Sequence, residues 1–268
     1  MKFLGVDLGW QSQPSGLCCL AWQANRLELL AVTCGATHAE VLDWVDRWAP
    51  SSSIADSTAD SIAPALVTPA LVAVDAPTLI SNASGMRTAD RHAHRQFGKY
   101  HAGCYPANLS LPFAQQTLGF GQSLAARGFS HAPSIQPWQL GRYQIEVFPH
   151  PATVNLFGLP QILKYKKGRL ADRRVELARY RDLILTVLPQ REPELQIAGE
   201  AAAILLADLP SQGRPLKALE DQLDSLICAY VAAHWWYWGL ERNLVLGPDD
   251  PERCALEGYI VVPQRYQT

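Results

Sequence analysis

The sequence predicts one α/β domain over residues 1–268, a mixed β-sheet covered by helices on both faces. Three observations predict it. Three short apolar segments follow one another at the N-terminus with no room for helices between them. Ala70-Leu71-Val72-Ala73-Val74 is apolar without a break until Asp75, as in a strand covered on both sides. Long stretches of the second half carry apolar residues at helical spacing.

In chain order, Phe3 to Leu8, Leu17 to Trp22 and Leu27 to Thr33 read as an antiparallel meander, with Asn25-Arg26 turning the last two strands. Thr37 and Glu40 have the spacing of a capping box, and Val41, Leu42, Trp44, Val45 and Trp48 continue a helix to Pro50. Residues 49–69, rich in Ser, Ala and Pro, read as a surface insertion. The strand ending at Asp75 is placed centrally, parallel to the first, and stopped by Ala76-Pro77. A loop-rich stretch over 100–140 leads to a strand at Tyr143 to Phe148, which Pro149 and Pro151 end. Helices are expected over 171–188, 193–208 and 216–240, and a short closing strand over Gly258 to Val262.

Composition narrows the function. With 23 Lys and Arg against 25 Asp and Glu, the chain lacks the basic excess that draws many proteins onto duplex nucleic acid. A polyanionic partner must therefore be attracted locally. Lys164 to Arg181 contains eight basic residues, and Arg87, Arg91, Arg95 and Lys99 recur every four; a solvated helix face explains both runs as well as phosphate contact does. No apolar run of about 18 residues suggests a membrane span, and Asp7 arrives too early for a secretory signal, so a cytoplasmic protein with no membrane partner is expected. The six cysteines include no Cys-x-x-Cys pair and read as free thiols; His101 and Cys104 have no second ligand pair with which to hold zinc.

The chemistry lies in the acids. Asp7 and Asp75 each follow an apolar strand, and ligands of open α/β sheets collect beyond the carboxyl ends of parallel strands. Two adjacent carboxylates repel unless a cation joins them, and oxygen ligands suit Mg²⁺ or Mn²⁺. A third acid is expected from the helix around Leu219 to Tyr230. Asp224 borders its apolar stripe, Glu220 shares a face with Asp224, and Asp221 points largely away, so the wheel alone favours Glu220 over Asp221 as the second member. Glu146 stands inside another apolar strand and needs a positive partner. Arginine or lysine pairing is the structural alternative for every one of these acids.

These residues carry a resemblance. Gly5-Val6-Asp7-Leu8-Gly9-Trp10, Val74-Asp75-Ala76-Pro77, Arg87-x-x-Asp90-Arg91, Glu146-Val147-Phe148-Pro149, Lys164-Tyr165-Lys166, Asp221-x-x-Asp224 and Glu257-Gly258-Tyr259-Ile260, taken together and in order, resemble the predicted ribonuclease H-like nuclease family catalogued as domain of unknown function 429. The resemblance spans nearly the whole chain. It implies a ribonuclease H-like sheet distantly similar to that of Holliday-junction resolvases. Asp7 and Asp75 match the family's strand acids, Glu146 a Glu-Val-x-Pro acid, Asp221 and Asp224 the helix acids, and Arg87, Asp90 and Arg91 a further polar motif. Ser225 stands where the family usually has alanine.

The expectation is a nuclease in which Asp7, Asp75, Asp221 and Asp224 hold two Mg²⁺ or Mn²⁺ ions about 4 Å apart. Glu146 is assigned to proton or ligand positioning, and Arg87, Asp90, Arg91, Lys164 and Lys166 to binding DNA, RNA or a nucleotide. Two rivals stand beside it. A non-catalytic nucleic-acid or protein binding module fits the neutral charge. An actin-like ATPase or sugar kinase shares the opening Asp-x-Gly, but Pro77 supplies no backbone N–H for a second phosphate turn. Trp235, Trp236, Tyr237 and Trp238 are expected to pack in the core or against a second copy of the chain in a homodimer.

Overall fold

In the computed structural model, residues 1–9, 14–51 and 67–266 are described. The expected insertion at 49–69 falls largely outside them, as does Trp10 of the first motif.

The meander forms as its alternating and continuous apolar residues dictate: β1 (Lys2–Asp7), β2 (Ser15–Gln23) and β3 (Arg26–Gly35), with Ala24 and Asn25 in left-handed conformation at the tight turn between the last two. Next, α1 (His38–Trp48) begins on the Thr37 side chain, which accepts from Glu40 N, while Glu40 reaches back to Ala36 N. β4 (Ala70–Val74) is wholly buried. There follow α2 (Thr88–Phe97), α3 (Ala114–Ala126), β5 (Ser130–His131), β6 (Arg142–Glu146) and α4 (Pro149–Leu156), whose first residue is the proline expected to end the strand. The chain continues through α5 (Leu170–Val187), β7 (Leu195–Gln196), α6 (Ala203–Leu206) and the long α7 (Gly213–Trp238). It closes with β8 (Asn243–Leu246), α8 (Pro251–Glu257) and β9 (Ile260–Pro263).

The main sheet has the order β5-β6-β4-β1-β2-β3-β7. Its β1-β2-β3 pairs are antiparallel, while β4 joins β1, β6 joins β4 and β7 joins β3 in parallel. Helices cover both faces. Alternation along β1 divides the core: Leu4 and Val6 pack with Val41, Trp44 and Val45 of α1 and with Phe120 and Leu124 of α3. Phe3 lies on the other face, with α7, α4 and α5.

Three expectations change. The helix proposed over 193–208 is mostly absent, because Leu27 of β3 draws in the backbone of Glu194 and Leu195 as an added edge strand, leaving only a 3-10 turn at Glu200–Ala202 and α6 helical. The loop-rich stretch over 100–140 contains α3; Gly121 there lets the helix backbone press against Thr78, where a Cβ would meet Thr78 Cβ at 2.8 Å. The closing strand forms, but it pairs with β8 in a separate two-stranded sheet.

Two glycines set the height of α7 above the sheet. A Cβ on Gly5 of β1 would stand 1.9 Å from the carbonyl oxygen of Ser225, and one on Gly16 of β2 would stand 1.9 Å from that of Asp221. Glycine within a strand commonly marks such close backbone approach. Gly16 is the cross-strand partner of Asp7, so this packing brings the Asp221 turn of α7 directly over the end of β1.

Candidate functional site

Beyond the ends of β1 and β4 lies a pocket of about 340 Å³, lined by Asp7, Asp75, Asp221, Lys166 and Lys217 and also by Cys104, Tyr105, Phe148 and Ile260. Val6 and Val74 are the last paired residues of the two strands, and Asp75 N donates to Val6 O at 2.9 Å, so Asp7 and Asp75 leave the sheet as neighbours. Acids from three distant segments therefore meet as the strand-end argument requires.

Of the helix acids, Asp221 lines the pocket. The wheel reading that turned Asp221 away and preferred Glu220 is corrected here. α7 is buried almost all round, so even the side opposite its apolar stripe touches protein. Glu220 faces α5, paired with Arg173 at 3.2 Å and with Lys217 at 3.1 Å. Lys217 also closely contacts Asp221 Oδ1. Asp221 Oδ2 is buried and meets no hydrogen-bond donor among the described residues.

Asp224 does not line the pocket. It is completely buried, and its Oδ1 accepts from the hydroxyls of Tyr165 at 2.7 Å and Tyr180 at 2.9 Å. Its Oδ2 is ion-paired with Lys166 Nζ at 2.8 Å. The two tyrosine rings stack 4.7 Å apart, which fixes both donors.

The electrostatics follow from burial and charge count. Burial raises Asp7 above the usual carboxylate range; Lys166 and Lys217 oppose the shift and Asp224 adds to it. Burial, then Asp7, raises Asp75 strongly. Burial and Asp7 push Asp221 up to about 8 against the pull of Lys217. Asp224 alone is lowered: burial acts upward, but Lys166, His150 and the Tyr165 hydroxyl outweigh it. For Lys166 burial acts downward, yet Asp224, Asp7 and Asp75 hold the ammonium charged. Asp7, Asp75, Asp221 and Asp224 thus crowd around two ammonium groups, one of which also pairs with Glu220, and the raised acids keep their protons more readily where no further cation relieves the crowding. Among the described residues, no three His, Cys, Asp or Glu side chains already surround one point as metal ligands; Lys166 and Lys217 stand among the acids instead.

Glu146 meets a different fate. It is in register with Val74, one residue short of Asp75 and so on the opposite pleat. Arg87 grips it with two bonds of 2.7 Å and holds Asp90 at 2.7 Å as well, while Asp90 also accepts from Arg87 N and Ala107 N. This buried triad borders the pocket but spends its donors internally. Burial still raises Glu146 to about 7 despite Arg87.

Of the expected phosphate-binding residues, only Lys166 offers its ammonium to the acids. Arg91 is exposed and turns back to Met86 O and Thr88, and Lys164 is exposed in a shallow depression beside α5. Sequence reasoning missed Lys217, Tyr165 and Tyr180 as working parts. Lys217 lies four residues before Asp221, an ion-pair spacing that signals it, and Tyr165 sits inside the Lys-Tyr-Lys motif; nothing local marks Tyr180. Trp235 and Trp236 are core residues, their indoles donating to Ala132 O and Gln139 O.

Residues 5–253 match the family described as "Protein of unknown function (DUF429)". The chain belongs to this family. The match embraces every acid of the pocket and both lysines. No curated protein matches the chain. Among the described residues no helix is long and apolar enough to cross a membrane.

Proposed function

We propose that this family member is a divalent-metal-dependent phosphodiesterase of the ribonuclease H-like type, acting on DNA, RNA or a nucleotide. One observation carries the reading: carboxyl groups from the ends of β1 and β4 and from α7 line a single pocket and outnumber the two ammonium groups beside them. The sheet order, an antiparallel meander extended by parallel β4 and β6, supports the fold type.

The donor set suits Mg²⁺ or Mn²⁺, since every candidate ligand is a hard carboxylate oxygen and Asp221 Oδ2 has no donor of its own. Asp7, Asp75 and Asp221 would hold the metal. When bound, it supplies Lewis-acid activation of a phosphodiester and of the attacking water. The chain's own residues do the remainder. Lys166, held charged by its acids, presents an ammonium to a phosphoryl oxygen, and the wall of Tyr105, Phe148 and Ile260 offers apolar surface to a base or sugar. Glu146, Arg87 and Asp90 brace the wall between β6 and α2.

The test is Asp7→Asn assayed for Mn²⁺-dependent hydrolysis across a panel of single-stranded, duplex and branched nucleic acids. Hydrolysis is expected to fall by at least a hundredfold with cooperative melting retained; unchanged turnover removes Asp7 from the chemistry. A second reading, a non-catalytic binding module, is favoured by the two lysines already paired with the acids. It predicts no hydrolysis of any phosphodiester by the unsubstituted protein with either metal.

A further inference from the structure

We infer that Asp224 is not a metal ligand but a positioning residue, whose task is to hold Lys166 as a fixed cation for the substrate's phosphoryl group. The inference rests on the proposed phosphodiesterase reading and divides labour between the two acids of α7.

Its grounds are geometric. Asp224 is fully buried and does not reach the pocket wall, whereas Asp221, three residues earlier, does. The Asp224 carboxylate already has three partners: the Tyr165 and Tyr180 hydroxyls on Oδ1 and the Lys166 ammonium, ion-paired with Oδ2. A carboxylate receiving two hydroxyl donors and an ammonium has little basicity left for a metal. The tyrosines are themselves immobilised by stacking on one another and by complete burial. Asp221 differs: Oδ1 meets a half-exposed lysine, while Oδ2 has neither a hydrogen-bond donor nor an ion-pair partner among the described residues, where Asp224 Oδ2 has the Lys166 ion pair. Lys166 spans the two environments, bonded to Asp224 behind and lining the pocket in front. A lysine has four rotatable carbons and costs entropy to aim; a rigid buried carboxylate removes that freedom before a substrate arrives.

The experiment measures two affinities for each variant, Mn²⁺ by calorimetry and inorganic phosphate at saturating Mn²⁺. Asp221→Asn is expected to weaken Mn²⁺ at least tenfold. Asp224→Asn is expected to weaken it less than threefold while weakening phosphate at least tenfold. Lys166→Met is expected to lose phosphate to the same degree and to bind Mn²⁺ more tightly, because a competing cation is gone. Tyr180→Phe removes one donor to Asp224 without touching the pocket and serves if Asp224→Asn fails to fold; a threefold or larger loss of phosphate with unchanged Mn²⁺ is expected. The inference is overturned if Asp224→Asn loses Mn²⁺ as severely as Asp221→Asn, or if Lys166→Met keeps its phosphate affinity. Absence of Mn²⁺ binding by the unsubstituted protein is a different result, which removes the phosphodiesterase reading and the inference with it.

Discussion

At the residue scale, the contrast between Asp221 and Glu146 shows how neighbours decide what a buried acid does. Both are raised by burial, Asp221 to about 8 and Glu146 to about 7, but one faces other acids and the other a bidentate arginine. Removing one partner from a buried ion pair strands the other charge and costs about 3–5 kcal/mol. Arg87→Met is therefore expected to lower stability by about that amount in denaturant melts, leaving Glu146 and Asp90 unpaired. Asp221→Asn should do the reverse in metal-free protein, raising the melting temperature in EDTA by relieving repulsion with Asp7. A lower melting temperature in EDTA would mean that the Lys217 pair outweighs that repulsion.

At the scale of elements, the contact of α7 with β1 and β2 is the most sensitive joint, because backbone meets backbone with no side chain between. Gly5→Ala or Gly16→Ala places a methyl group 1.9 Å from a carbonyl oxygen, so the helix must lift or tilt. Overpacking of this kind costs about 1–3 kcal/mol or more. Because Gly16 sits under Asp221 itself, Gly16→Ala is expected to weaken Mn²⁺ binding as well as stability, whereas Gly121→Ala, within α3 against Thr78, should affect stability with little change in metal affinity. Calorimetry on the three variants checks the distinction. These elements were unequally legible in the sequence. β1, β4 and α7 announce themselves by unbroken apolar runs or helical spacing, but α3 carries two glycines, of which Gly121 serves packing rather than local propensity, and β7 exists only because the edge of β3 captures it.

For the whole molecule, the acid pocket makes stability depend on pH. The folded-state value of Asp221, about 8, lies above the carboxylate's ordinary value near 3.9. Between those values the folded protein holds more protons than the unfolded one, so stability falls as pH rises, by up to about 1.4 kcal/mol per unit for one such group. His131, His150 and His234, each lowered to about 4 with burial as the leading cause, act oppositely below their ordinary value of about 6.5. Above about pH 6.5 the histidines no longer oppose the carboxylates, and the amino terminus, lowered from its ordinary value chiefly by burial, is the group left acting against them. In EDTA the melting temperature is expected to fall between about pH 6.5 and 8; with Mn²⁺, whose binding needs the deprotonated acids, the fall should vanish or reverse. An identical slope with and without Mn²⁺ would show that the metal does not engage these carboxylates.

What the sequence determined by itself is local in its physics. An apolar run ending in an acid declares a buried strand and the polarity of its exit, so Asp7 and Asp75 were readable together with the mixed sheet that makes them neighbours. The tertiary structure decided the rest, because it turns on which groups meet across long stretches of chain. Asp224 meets Tyr165 across 59 residues, and Arg87 meets Glu146 across the same separation. A helical wheel can mark the faces of α7, but not that protein covers nearly all of them; only packing against β1, β2 and α5 turned Asp221 to the pocket and Glu220 to Arg173. Local periodicity reports burial, whereas the partner of a buried charge is set by the folded chain.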